Sequence, residues 1–242
     1  MKQYGLIGFP LSHSFSKKYF GEKFLREGIT DCGYELYPLQ NINELPALLS
    51  AQKQLCGLNV TVPYKEAVLP YLNKLSNEAA QIGAVNCIKI HDGQLTGYNT
   101  DAFGFRQSLV GFIKQPPQQT FVLGTGGSSK AVQYVLNQLG WPYVMVSRTP
   151  QPGAIIYAQI AAAMQQHNLF INTTPLGMFP HTQVCPDIPY TLLTANDSLF
   201  DLIYNPAETL FLQKGKQQGC QTKNGLEMLQ LQAEESWRIW TT

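Results

Sequence analysis

Short apolar runs alternate along this chain with stretches in which apolar residues recur at helical spacing, the pattern of α/β structure. In the first half the pattern predicts a strand over Gln3–Gly8, ending in Phe9-Pro10, and then a helix with Phe20, Phe24 and Leu25 inward. A second strand is expected over Tyr34–Pro38, and a helix over Asn43–Ala51 led by Asn43 as its cap. Leu55–Val60 reads as a third strand, which Pro63 stops, with a helix following through Leu72. Ser76 opens a short helix, and Val85–Ile90 and Leu95–Tyr98 form an antiparallel hairpin around Asp92-Gly93. Ala102–Phe112 is helical, and Gln115-Pro116-Pro117-Gln118 then interrupts all periodicity.

The second half is organised by TFVLGTGGSSKAV, Thr120 to Val132. Phe121-Val122-Leu123 is a strand, Gly124-Thr125-Gly126-Gly127 a turn, and Ser128 to Leu139 a helix with Ala131, Val132, Val135 and Leu136 on one side. Strand, glycine turn and helix open a dinucleotide-binding βαβ unit. The alternative is a plain tight turn packing helix on strand. A Walker A loop is excluded: Ser129 precedes Lys130 where that loop needs glycine, and Ala131 replaces its Ser/Thr. Strands follow at Tyr143–Val146, Leu169–Ile171 and Leu199–Ile203, then helices at Ala207–Gln217 and Gly225–Trp240. The alternation predicts parallel-sheet domains with a boundary in the helix near residue 102.

Composition narrows the function classes. With 242 residues, 44% hydrophobic and only 14% charged, the chain is globular. A net charge of +1 without a Lys/Arg run argues against nucleic acid or an anionic membrane as partner. No apolar run has transmembrane length, and MKQYGLIGFP lacks the apolar region of a signal peptide. The five cysteines are scattered without C-x-x-C and suit a reducing, cytoplasmic setting. The four histidines show no metal-ligand spacing, so no metal is expected.

Four places carry candidate chemistry. Hydroxyls cluster over Leu11-Ser12-His13-Ser14-Phe15-Ser16, as helix caps or as a ligand site at a sheet edge. Asn59, Thr61 and Lys65 gather where a strand gives way to a helix, although they could also be turn residues and a solvated lysine. Asp101 closes a later strand, where an acid also suits a helix N-terminus. After Val146, Ser147-Arg148-Thr149 stands where an NAD-binding unit would carry an acid for the ribose. A guanidinium there suits a 2′-phosphate, favouring NADP over NAD.

In order, Gly8-Phe9-Pro10, His13 to Ser16, Asn59-Val60-Thr61-Val62-Pro63-Tyr64-Lys65, Gly83-Ala84-Val85-Asn86, Asn99-Thr100-Asp101, Gly124 to Gly127, Arg148-Thr149, Asn172 to Met178, Asp201 to Tyr204 and Gly225-Leu226 with Gln232 make the chain resemble the shikimate dehydrogenase family over nearly its full length. The ordered set N-x-T-x-P-x-K, G-A-V-N and N-T-D is its specific part. The resemblance implies a two-domain α/β protein. Residues 1–101 would form a substrate domain with a mostly parallel sheet, with 225–242 packing back on it. Residues 102–224 would form a Rossmann NADP domain, with the active site in the cleft between the domains. It implies reversible NADPH-dependent reduction of 3-dehydroshikimate to shikimate on the route to chorismate and the aromatic amino acids, in the cytoplasm, by a monomer or homodimer. Lys65 and Asp101 would be the catalytic pair. Ser14, Ser16, Asn59, Thr61, Asn86, Tyr204 and Gln232 would hold shikimate. Gly124, Thr125, Gly126, Gly127, Ser128, Ser147, Arg148, Thr149, Asn172 and Thr173 would bind NADP, with Leu202 and Gly225 beside the nicotinamide.

A quinate/shikimate dehydrogenase with relaxed cofactor use, or a non-catalytic binding sensor, are the alternatives. The chain departs from the family pattern at Lys17, Asn77, Cys87 and Glu227, and Pro150-Gln151-Pro152-Gly153 lacks the usual basic residue after Thr149. None of these touches Lys65 or Asp101.

Overall fold

The structure, a computed structural model, describes residues 1–11 and 14–242; Ser12 and His13, part of the expected hydroxyl cluster, lie outside the described residues. The strands are β1 (Lys2–Gly8), β2 (Cys32–Pro38), β3 (Leu55–Val60), β4 (Lys74–Leu75), β5 (Cys87–His91), β6 (Gln94–Tyr98), β7 (Gln119–Leu123), β8 (Tyr143–Ser147), β9 (Ala154–Ile156), β10 (Asn168–Asn172), β11 (Ser198–Asp201) and β12 (Gln221–Lys223). The α-helices are α1 (Phe15–Arg26), α2 (Leu45–Ala51), α3 (Tyr64–Ala67), α4 (Asn77–Ile82), α5 (Thr100–Phe112), α6 (Gly127–Leu139), α7 (Ile160–Ala163), α8 (Leu210–Gln217) and α9 (Leu226–Thr241). The chain divides into two compact units, Met1–Thr100 with Ala233–Thr242, and Asp101–Gln232.

The first unit carries a mixed sheet in the order β2-β1-β3-β5-β6-β4. β1 pairs parallel with β2 and β3, while β5 runs antiparallel to both β3 and β6. The β5–β6 hairpin turns at Asp92 (φ 49°) and Gly93 (φ 73°), the two left-handed residues of a type I′ turn. One face of the sheet buries Ile7, Leu45, Leu58, Val68 and Ile88. Another core gathers Tyr4, Phe20, Phe24, Tyr34 and Trp240. Phe20 stacks on Tyr34 with ring centroids 4.5 Å apart, and Tyr4 stacks on Trp240 at 4.9 Å. Trp240 fits because position 57 is glycine: a Cβ there would run into the indole.

The second unit carries an all-parallel sheet in the order β12-β11-β10-β7-β8-β9. Numbered within the unit from β7, this is the Rossmann order, with the topological switch between β7 and β10. Its core stacks Phe121 on Phe170 at 4.9 Å and buries Leu123, Val146, Leu199 and Phe211.

Several local expectations are corrected. Leu25 does not face inward but is 85% exposed; Lys23 takes the inward place, its ammonium satisfied by Glu27 at 2.9 Å and Glu234 at 2.7 Å. Asn41, not Asn43, caps the segment before α2, because Asn41 Oδ1 accepts from the Asn43 N–H while Glu44 reaches back to the Asn41 N–H in a capping box. The helix expected through Leu72 breaks after Ala67 into a 3₁₀ turn at Leu69–Tyr71, where Pro70 removes a donor. The helix expected from Ala207 starts at Leu210, capped by the Thr209 hydroxyl. The short edge strands β4, β9 and β12 were too brief to leave a period in the sequence.

Candidate active site

In the first unit the candidate residues meet at the carboxyl edge of β1 and β3. The Thr61 N–H donates to the Ile7 carbonyl at 2.9 Å, so the segment after β3 stays against β1. The Val60 N–H donates to the Asn86 carbonyl, and the Val85 N–H to the Lys65 carbonyl, both at 2.8 Å. These bonds bring the Asn59–Lys65 segment beside Val85-Asn86, although the two are 20 to 27 positions apart in sequence. Lys65 projects from the short helix α3 and is half-buried. Asn86 Oδ1 accepts from the Thr100 N–H at 2.6 Å, and Asn86 Nδ2 donates to Thr100 Oγ1 at 3.0 Å. Thr100 is the first residue of α5 and leads directly into Asp101, which is buried.

Asn59 is almost wholly buried and its amide is hydrogen-bonded at both ends. Oδ1 accepts from the Tyr34 hydroxyl at 2.8 Å, while Nδ2 donates to the Asn86 carbonyl at 3.3 Å and Ser236 Oγ at 3.0 Å. The Tyr34 hydroxyl holds its proton far more tightly than usual because the ring is buried. Ser14 caps α1, accepting from the Ser16 N–H at 3.3 Å. Tyr34 and Ser236 were missed by sequence reading. Ser236 lies four residues beyond Gln232 on α9, a polar side chain among Ala233, Trp237 and Trp240 on an inward face, which helical spacing alone could have flagged.

In the second unit, Gly124 follows β7 with φ 105°, a conformation favouring glycine, and a Cβ there would meet Thr174 Cγ2 at 2.8 Å and Thr173 Oγ1 at 2.9 Å. Thr173 closes on the glycine turn by donating its hydroxyl to the Leu123 carbonyl at 2.7 Å. Gly126 caps α6 with no side-chain cap, and no atom would meet a Cβ built there within 4 Å. Thr125 is exposed, and Gly127 and Ser128 are half-buried in the first turn of α6. A helix N-terminus without a side-chain cap, beyond the sheet's carboxyl edge, suits a pyrophosphate. Arg148 and Thr149 are exposed at the end of the neighbouring strand β8, and Ser147 is buried with its Oγ accepting from the Thr149 N–H at 3.3 Å.

Asn172 is fully buried. Its Oδ1 accepts from the Thr174 N–H at 3.0 Å and the Thr174 hydroxyl at 2.6 Å, and its Nδ2 donates to Asp201 at 3.0 Å. Its side chain thus shapes the loop after β10. Asp201 also accepts from the Ile203 N–H at 3.0 Å and the Thr209 hydroxyl at 2.5 Å. Burial nevertheless outweighs these bonds and lifts its carboxyl to about 6. The Leu202 N–H donates to the Asn172 carbonyl at 3.0 Å, and the Leu202 carbonyl lies so close to Gly225 that a Cβ could not fit between them. Tyr204 is half-buried in the loop after β11, and Gln232 is buried on α9 with Nε2 donating to the Leu229 carbonyl at 2.9 Å. Glu227 pairs with Lys223 at 2.5 Å and accepts from the Ser108 hydroxyl at 2.8 Å; the Lys223 bond comes first in holding its carboxyl below the usual range. Among the described residues no group of three or more His, Cys, Asp or Glu is placed to hold a metal ion.

A Rossmann sheet with a glycine turn at its switch point, joined to a second α/β unit with a polar sheet edge, places the chain among the two-unit α/β dehydrogenases. The profile of the shikimate dehydrogenase substrate binding domain matches residues 6–88. A shikimate dehydrogenase (NADP(+)) of Carboxydothermus hydrogenoformans is 35% identical over 98% of this chain and 90% of its own. The shikimate 5-dehydrogenase of Thermus thermophilus, solved with NADP(H) and shikimate, is 32% identical, with a TM-score of 0.88 over 100% of this chain and 94% of its own. The quinate dehydrogenase of Corynebacterium glutamicum, solved with NAD, is 27% identical with a TM-score of 0.88, covering 99% of this chain and 93% of its own. The chain belongs to the shikimate dehydrogenase family.

Proposed function

We propose that this protein catalyses the reversible NADPH-dependent reduction of 3-dehydroshikimate to shikimate, supplying chorismate and aromatic amino acid biosynthesis. The observation that carries the reading is the gathering of Asn59, Thr61, Lys65 and Asn86 at one sheet edge, with Thr100 bonded to Asn86 and followed at once by Asp101. NADPH, when bound, supplies the hydride. The residues of the chain then have two tasks: to orient the ring and to manage one proton.

Reduction builds negative charge on the carbonyl oxygen. The Lys65 ammonium stabilises that charge and donates its proton to the oxygen, and in the reverse direction Lys65 takes the proton back. Asp101 orients Lys65 and accepts from the neighbouring ring hydroxyl. The Ser14 and Ser16 hydroxyls donate to the carboxylate. Asn59, Thr61, Asn86, Tyr204 and Gln232 pair with the remaining polar groups. Gly124 to Gly127, with Thr125 and Ser128, hold the pyrophosphate. Arg148 grips the 2′-phosphate between Ser147 and Thr149. Asn172 and Thr173 bind NADP, and Leu202 and Gly225 flank the nicotinamide. Residues 1–101 with 225–242 act as the substrate domain and 102–224 as the NADP domain. The enzyme works in the cytoplasm as a monomer or homodimer; no helix among the described residues is long and apolar enough to cross a membrane.

Absorbance of the reduced cofactor tests the assignment. Purified protein is given shikimate or quinate with NADP or NAD. Shikimate with NADP is expected to give the highest kcat/KM. Faster turnover of quinate with NAD would reassign the protein to the quinate branch, and no turnover of any pair would make it a binding protein.

A further inference from the structure

The polar edge of the first unit contains a hydroxyl that no motif points to. Ser236 on α9 is fully buried. Its Oγ accepts from Asn59 Nδ2 at 3.0 Å and shares a hydrogen bond with Thr100 Oγ1 at 3.1 Å. A hydroxyl has one donor and two acceptor positions, so Ser236 can serve both partners at once. Thr100 passes the connection on, because its Oγ1 accepts from Asn86 Nδ2 at 3.0 Å and its N–H donates to Asn86 Oδ1 at 2.6 Å.

The network admits one orientation of the Asn59 amide. The Asn86 carbonyl can only accept, so it must face Asn59 Nδ2, and the other Nδ2 hydrogen then belongs to Ser236. Without the Ser236 hydroxyl, a buried N–H of Asn59 and the Thr100 hydroxyl each lose a partner. Buried polar groups in that state draw in water or rotate, and the residues bonded to them shift.

We propose that Ser236 is a positioning residue of the active site: it fixes the Asn59 amide and, through Thr100 and Asn86, the first turn of α5 that carries Asp101. This rests on the shikimate dehydrogenase reading above. Ser236 itself touches neither the proposed substrate groups nor the proton in transit; it acts through Asn59, Thr100 and Asn86.

The test compares Ser236→Ala, Thr100→Val and Ser236→Thr with the wild-type enzyme, reading kcat, the shikimate KM, NADP affinity by calorimetry and the thermal midpoint. Ser236→Ala is expected to lower kcat/KM for shikimate by about five- to thirty-fold, the worth of one buried hydrogen bond, with NADP affinity within about twofold of wild type. Thr100→Val keeps the shape and the backbone bond to Asn86 but removes the hydroxyl, and should do the same. Thr100→Val also takes an acceptor from Asn86 Nδ2, so should Ser236→Ala not fold, Ser236→Cys, of similar size but a weak hydrogen-bonding group, takes its place. Ser236→Thr retains the hydroxyl and should recover most of the loss. A lowered thermal midpoint with unchanged kinetic constants would overturn the proposal, leaving Ser236 as a satisfied core hydroxyl. Equal losses toward shikimate and NADP, or a folded Ser236→Thr as slow as Ser236→Ala, would also overturn it. Wild-type protein that does not turn over shikimate would overturn the functional reading and this inference with it, which separates the two failures.

Discussion

Lys65 and Asp101 come from different elements, α3 and α5, and the proposed proton transfer depends on their single side-chain groups. Methionine matches the length of Lys65 but carries neither charge nor proton. Lys65→Met is therefore expected to lower kcat by roughly 10²–10⁴-fold, the usual worth of general acid–base catalysis, while shikimate affinity falls far less. Adding Asp101→Asn should cost little more than the worse single change, because groups acting as a unit are not additive. Steady-state turnover with folded variants decides this, and near wild-type turnover of Lys65→Met would reject the proton relay. Arg148 is exposed and free to grip a ligand phosphate. Its loss in Arg148→Ala should weaken NADP binding by about 1.5–3 kcal/mol, the value of a charge-assisted hydrogen bond, and leave NAD nearly unaffected. Equal weakening of both cofactors in calorimetry would show that Arg148 does not read the 2′-phosphate. Thr120 is a residue-scale fault of the opposite kind. Its hydroxyl is fully buried with no partner among the described residues. Thr120→Val removes that unpaired oxygen at constant shape and should stabilise the protein by about 1 kcal/mol, raising the thermal midpoint by about 2–4 °C. A lower midpoint would show that the hydroxyl is satisfied after all.

At the scale of elements, the close approach of α9 to the first sheet depends on a missing side chain. Trp240 lies over Gly57 on β3, donates Nε1–H to the Ile88 carbonyl at 2.9 Å and stacks on Tyr4. Gly57→Ala should force the indole away and cost about 1–3 kcal/mol, as overpacking a close-packed core does. Urea unfolding measures it, and an unchanged midpoint would mean that the helix end yields without loss. The same helix carries Glu234, which with Glu27 neutralises buried Lys23 on α1. Helix α9 is thus tied to the first unit by an aromatic stack, a buried cation and the Ser236 hydroxyl. At its N-terminal end, in the second unit, Glu227 clasps Lys223 and Ser108. That clasp gives the departure of Glu227 from the family pattern a structural use.

For the molecule as a whole, buried Asp201 sets a pH dependence of stability. Its carboxyl titrates at about 6 in the folded protein against an ordinary 3.8, so the folded state holds the proton more tightly than the unfolded chain. The contribution of this group to stability is complete below 3.8 and is lost as pH rises through about 6, on the order of 3 kcal/mol in all. Glu27 and Glu227 act in the other direction, since lysine partners hold them below their usual range; their support is present above that range and is lost on acidification. Asp201→Asn should therefore gain stability relative to wild type between pH 4 and pH 7. Parallel urea-midpoint curves for the two proteins across that range would contradict the shifted carboxyl.

The sequence by itself determined the alternation of strands and helices, the strand–glycine turn–helix of the nucleotide unit and the family. Each of these rests on near neighbours along the chain or on motifs of fixed spacing. Apolar period, proline stops and glycine turns act over a few residues and survive in one dimension. Only the tertiary structure decided that β5 runs antiparallel beside β3, bringing Asn86 to Asn59, because strand order is chosen by packing between distant segments. It also put Lys23 inside and Leu25 outside, since Glu234, distant in sequence, joins Glu27 in satisfying the ammonium, and helical spacing registers only Glu27. The hydrogen-bond partners of Asn172 and Ser236 lay equally beyond the sequence. A short polar side chain reads the same in a string of letters whether it faces a ligand or ends in a buried hydrogen-bond network, and only the positions of its partners, 29 residues away for Asn172 and 177 for Ser236, tell the two apart.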